Sequence, residues 1–201
     1  QLGNGTTTDS STPINVIGLE TGISAISLGR GHSCALTIES GVKCWGNNAY
    51  GQLGNGTKNN SSTPTNVIGL ETGVAAISLG SYHSCALIIG GEVKCWGGNA
   101  YGQLGNGTTT DSLLPVNVTG LSSLVTALSA KGDHACVITA GQDAKCWGQN
   151  ESGQLGDGTL TNRSVPVDVV GLSNSVAKIV SSRYHSCAIT NDKNAKCWGS
   201  N

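Results

Sequence analysis

The chain has 201 residues, 37% of them hydrophobic, 4% aromatic and 11% charged, with 30 Gly, 8 Cys and neither Met nor Phe. Eleven Lys and Arg against 12 Asp and Glu leave a formal net charge of −1, which argues against a polybasic nucleic-acid or membrane-surface binder. Low charge also argues against a disordered or coiled-coil chain, and no apolar run approaches the ~20 residues of a membrane-inserting helix. No secretory leader is read in the sequence, and the missing Met points to a processed chain or a part of a longer one.

Gln-Leu-Gly recurs at Gln1, Gln52, Gln103 and Gln154, a period of 51 residues. The chain is therefore one array, residues 1–201, of repeats 1–51, 52–102, 103–153 and an incomplete 154–201. Repeat two shows the elements in order. A strand over Thr65–Ile68 follows Pro64, and Gly69–Gly73 is a turn. Val74–Leu79 is a second strand and His83–Ile89 a third. The Gly90-Gly91 turn leads into a fourth strand, Glu92–Trp96. Strands of ~5 residues between Gly-rich turns predict an all-β array, and four strands per ~40–50 residues is the arithmetic of a β-propeller with four-stranded blades. With antiparallel neighbours, the turns alternate between two faces. The Ser81-Tyr82 turn and the stretch Gly97–Leu114 then share one of them, the long-loop face.

Within the chain the consensus runs Gly-x-x-His-Ser-Cys-Ala-Leu, then Val-Lys-Cys-Trp-Gly-x-Asn-x-x-Gly-Gln-Leu-Gly-Asn-Gly-Thr, then Pro-x-x-Val. It resembles the repeat of the regulator of chromosome condensation family over essentially the whole chain. The run Trp45–Gly54 carries the resemblance most specifically, and it recurs from Trp96 and, with changes, from Trp147. The resemblance implies a propeller of about seven blades, each completed by a strand from a neighbouring repeat. It does not imply one activity, because members include exchange factors for small GTPases, a β-lactamase inhibitor and a plant ultraviolet receptor. Two Cys in every repeat, no basic tail and near-zero charge set this chain apart from the nuclear member and weaken nucleotide exchange as its function.

Repetition leaves two pairings for the eight Cys. They join within repeats (Cys34–Cys44, Cys85–Cys95, Cys136–Cys146, Cys187–Cys197) or across them (Cys44 with Cys85 and onward). An odd-numbered turn centred near residue 39 would set Cys34 opposite Cys44 and favour the first; an even one would turn them to opposite faces. Disulfides place the chain in an oxidising compartment, extracellular or at a cell surface. The rival is a His32-x-Cys34 plus Cys44 metal site. It lacks a fourth ligand and the Cys-x-x-Cys spacing, so neither metal nor cofactor is expected. The resemblance implies instead a structural His that hydrogen-bonds backbone.

The run Gly51–Gly56 is read as a turn rather than a phosphate cradle, since no helix follows it and every repeat carries it. Asn4, Asn55, Asn59, Asn60, Asn106, Asn117, Asn150 and Asn162 fit the N-glycosylation acceptor pattern. The recurring Trp45, Trp96, Trp147 and Trp198 read as packing between blades, and Lys43, Lys94, Lys145 and Lys196 as solvated strand lysines. No nucleophile elbow, P-loop, His-Glu-x-x-His or Cys-x-x-Cys occurs, so no enzyme is expected.

On a repeated frame, specificity resides where the copies differ. Those positions are the turn before each His, the stretches Thr7–Asp9, Lys58–Asn60, Thr109–Asp111 and Leu160–Arg163, and the loop after Trp-Gly. Arg30, Tyr50, Tyr82, Tyr101, Asp133, Arg183 and Tyr184 are the candidate binding residues, all on the long-loop face; Tyr and Arg are the usual anchors of interfaces. The expected function is an extracellular, non-enzymatic propeller that binds a protein or glycan, or builds an assembly, through this face. Nucleotide exchange on a GTPase and inhibition of a secreted enzyme are the alternatives. The end at Trp198–Asn201 continues into the motif that opens at Gln1. Further repeats, or copies joined head to tail as a ring or filament, are therefore expected to complete the array.

Overall fold

Trp in each repeat is followed by a glycine that lets the chain turn where a side chain has no room. Gly46, Gly97, Gly148 and Gly199 have φ between 102° and 111°, and a Cβ on Gly97 would lie 2.6 Å from the Tyr82 carbonyl oxygen. The computed structural model describes residues 1–201, built from fifteen strands and no helix. The first antiparallel sheet holds β1 (Ile23–Leu28), β2 (His32–Thr37), β3 (Val42–Gly46) and β4 (Ser61–Asn66), in that order. The second holds β5 (Val74–Leu79), β6 (His83–Ile88), β7 (Val93–Gly97) and β8 (Ser112–Asn117). The third holds β9 (Val125–Lys131), β10 (His134–Thr139), β11 (Ala144–Gly148) and β12 (Arg163–Asp168). The fourth sheet holds β13 (Val176–Ser181), β14 (His185–Thr190) and β15 (Ala195–Gly199).

Blades and sequence repeats are out of phase. The strand expected at Thr65–Ile68 lies at Ser61–Asn66 and pairs back with β3, so the second repeat completes the first blade. Pro64 sits inside it because β4 is the outermost strand, where a missing N–H costs no ladder bond. The corresponding stretch Ser10–Asn15 forms no strand.

The first strand of each blade is innermost, and β1, β5, β9 and β13 contact one another in succession. The hydrophobic core lies between blades rather than within one. Cys34, Leu36, Val42 and Cys44 on one face of the first blade pack against Val74, Leu79, Ala86 and Trp96 of the second. Leu53, Val67 and Leu70 of the connecting segments close this layer. Two equivalent layers follow, between blades two and three and between three and four. With no Phe or Met, the tryptophans supply the bulk; Trp96 and Trp147 are fully buried.

The hairpin register sets Cys34 opposite Cys44, Cys85 opposite Cys95, Cys136 opposite Cys146 and Cys187 opposite Cys197. Each pair forms a disulfide with its Cα atoms 4.0–4.1 Å apart. The sulfurs that a His-Cys-Cys metal site would use are thus bonded to each other. In the first three blades the disulfides lie inside the interblade layers, whereas Cys197 is exposed.

Candidate binding site on the long-loop face

Three buried asparagines shape the loops of this face. Asn99 Nδ2 donates to the carbonyls of Thr108 (3.0 Å) and Thr110 (2.9 Å), while its Oδ1 accepts from the Leu104 N–H (2.9 Å). Asn48 and Asn150 repeat this arrangement. Their recurrence two residues after Trp-Gly is the sequence signal of this role. Full burial also removes Asn150 as a glycosylation acceptor in the folded chain. Gln52 and Gln103 then position tyrosines: their Oε1 atoms accept from the N–H groups of Tyr50 (3.0 Å) and Tyr101 (2.9 Å).

These loops meet the turns before the His residues in a pocket of about 350 Å³. All four tyrosines of the chain, Tyr50, Tyr82, Tyr101 and Tyr184, line it, with Asp133 and Arg183 beside them. Six of the seven candidate binding residues therefore converge. The seventh, Arg30, lies outside the lining, but its Nη1 donates to the Tyr82 hydroxyl (2.5 Å). Tyr50 and Tyr82 pack with ring centroids 5.1 Å apart, and the Arg183 guanidinium lies 4.8 Å from the Tyr184 ring centre. Asp111 and Gln149 also line the pocket and were not among the candidates, although Asp111 falls in one of the variable stretches.

Asp133 is the electrostatically unusual group. Burial raises its carboxyl above the ordinary range, opposed by the charges of Arg183 and Arg30, and its buried Oδ1 has no hydrogen-bond partner. The site thus offers aromatic faces, hydroxyls and an unpaired acceptor, features suited to binding. A larger cleft, about 550 Å³, lies among Gly91–Val93, Asn117–Val118 and Leu121–Leu124, with Glu92 as its only titratable group.

The histidines act at the blade junctions. His32 Nε2 lies 2.9 Å from Ser84 Oγ on the next blade, a side-chain partner rather than the backbone one expected. Ser84 Oγ donates to the Gln52 carbonyl (2.9 Å), and the Trp96 indole N–H donates to the same oxygen (2.9 Å). Because the serine proton is used on Gln52, His32 donates from Nε2, which sets its tautomer. His134, Ser186, Gln154 and Trp198 repeat the set. Burial holds His32 and His134 down at about 4 and His83 at about 3.

Models of the regulator of chromosome condensation repeat match residues 42–87, 90–138 and 146–189, and a second model of that repeat matches 23–52, 74–103 and 125–154. The chain belongs to the regulator of chromosome condensation repeat family. Among curated relatives it is 32% identical over 205 residues to the ultraviolet-B receptor UVR8 of Arabidopsis thaliana, covering all of this chain and 47% of that protein. Among solved structures, human WBSCR16 superposes with a TM-score of 0.78 at 27% identity, over 88% of this chain and 47% of the other. Prp20p of Saccharomyces cerevisiae, studied for its binding to Gsp1p and histones, gives 0.75 at 21% identity, over 88% and 45%. The chain thus spans about half the length of these proteins, and its sheets are propeller blades of the family type.

Proposed function

We propose that this chain is a protein-binding propeller module, without catalysis of its own, that engages its partner through the tyrosine pocket of the long-loop face. The supporting observation is that all four tyrosines, drawn from two loops and two turns on three different repeats, line one pocket with Asp133 and Arg183. Tyrosine and arginine contribute large contact area at low entropic cost and hydrogen-bond at their tips. Four disulfides are consistent with an oxidising, extracellular setting, and that setting disfavours exchange on a cytosolic GTPase.

The test replaces Tyr82, Arg183 and Tyr184 together by Ala in disulfide-bonded protein with an unchanged circular dichroism spectrum. Partners recovered with the wild type should be lost by the triple variant. Equal recovery of every partner would overturn the proposal, and recovery of glycans alone would reassign the pocket to carbohydrate.

A further inference from the structure

Beside the tyrosine pocket, a second pocket of about 290 Å³ opens at the mouth of the propeller axis. Its walls are the four turns that precede the histidines, one from each blade and 51 residues apart, and no hydrophobic residue lines it. Adjacent turns are tied by backbone bonds: Arg30 N–H donates to the Ser81 carbonyl (3.4 Å), and Ser81 N–H to that of Gly132 (2.6 Å). Arg30, Lys131 and Arg183 are among the residues that line it, together with Ser81 and Ser182.

Three of the chain's 11 cationic side chains thus gather at one opening of a molecule whose net charge is −1. Neither salt bridge of the structure, Lys145–Asp168 or Arg163–Asp157, involves them. Lys131 reaches across the axis, its Nζ donating to the Leu28 carbonyl of the first blade (2.8 Å), which holds the ammonium at the mouth without neutralising it. Asp133, whose carboxyl feels the charges of Arg183 and Arg30, lines the neighbouring tyrosine pocket rather than this one. Like charges confined in a concave, hydrophobe-free pocket repel one another and focus a positive potential outward, and an arriving anion relieves that repulsion.

We propose that this axial mouth is an anion site that takes the carboxylate of an acidic residue on the partner protein, whose neighbouring residues enter the tyrosine pocket. The two pockets are physically joined, since Arg183 lines both and Arg30 bonds Tyr82. The volume admits one side chain rather than a polymer, so a single acidic residue is its occupant. The identity of the wider partner rests on the protein-binding reading above; the anion site is tested apart from it.

The probe is the peptide acetyl-Gly-Glu-Gly-amide, titrated at constant ionic strength into the disulfide-bonded, nitrogen-15-labelled chain, with its Gln counterpart as control. Saturable shifts are expected at the amides of Arg30, Ser81, Gly132 and Arg183 with the Glu peptide and not with the Gln peptide. Lys131→Glu should weaken binding about tenfold or more, as expected for reversing one near charge, while Lys131→Arg retains it. Shifts that do not saturate, or that persist unchanged in Lys131→Glu, would overturn the site. Sulfate that saturates the same amides where the Glu peptide does not would overturn the carboxylate assignment. Lys131 does not line the tyrosine pocket, and a tyrosine variant with only Tyr82 and Tyr184 replaced by Ala keeps Arg183 in the axial mouth, so the two proposals fail separately. Partner binding lost in the tyrosine variant yet untouched by Lys131→Glu would remove the anion site alone.

Discussion

Replacing Ala135 by Ser supplies the one hydroxyl missing from the sequence of blade junctions. Where His32 and His134 meet Ser84 and Ser186, the third repeat presents Ala135 to His83, and both ring nitrogens of His83 are buried without a partner. The acceptor for the new hydroxyl is already in place: the Gln103 carbonyl receives the Trp147 indole N–H at 3.0 Å, as Gln52 and Gln154 do from Trp96 and Trp198. A buried polar group left unpaired costs about 1–3 kcal/mol and a net hydrogen bond contributes about 0.5–1.5. Ala135→Ser should therefore stabilise the chain by about 1–2 kcal/mol, which for this length is a rise in Tm of about 2–8 °C. Ser84→Ala and Ser186→Ala should lose a similar amount, since each leaves a histidine in the state His83 now occupies. Urea and thermal unfolding of oxidised protein at pH 7.5, where His32, His83 and His134 are neutral, measure all three. A slowly exchanging His83 Nε2 proton should appear in Ala135→Ser alone. If Ser84→Ala destabilises while Ala135→Ser leaves both midpoints and that proton unchanged, the histidine–serine bond is not what holds the junction.

The buried histidines also make the array acid-labile. Their folded pKa values, about 4 for His32 and His134 and about 3 for His83, lie below the ordinary 6.5. The unfolded chain therefore binds protons that the folded chain refuses, and stability falls as pH drops from about 6.5 toward 4 by at most ~1.4 kcal/mol per histidine per pH unit. Urea midpoints that stay flat between pH 7 and 4.5 would contradict this. Reducing the four disulfides should cost about 2–3 kcal/mol per closed loop, and a Tm indifferent to reductant would show that they do not staple the blades.

What the sequence determined by itself is whatever depends on neighbours along the chain. The 51-residue period, the β-strands at Val74–Leu79 and His83–Ile88 and the glycine turns follow from local φ preferences and from the two-residue alternation of a strand, whereas the turn parity that sets Cys34 against Cys44 rather than on the opposite face was left open by the spacing. The family was legible for the same reason, since its motif is a contiguous run. The resemblance implied that a neighbouring repeat closes each blade, but only the tertiary structure decided which strand does so and in what register. Ser61–Asn66 crosses the repeat boundary to pair with β3 because its partner lies about twenty residues away, beyond anything periodicity encodes. It also decided what the histidines bond, since Ser84 lies 52 residues from His32. The candidate site was half visible: comparing the repeats singled out Tyr50, Tyr82, Tyr101 and Tyr184 one at a time. Their meeting in one pocket is set by the rotation from each blade to the next, and that rotation follows from how Trp, Leu and the disulfides pack between blades.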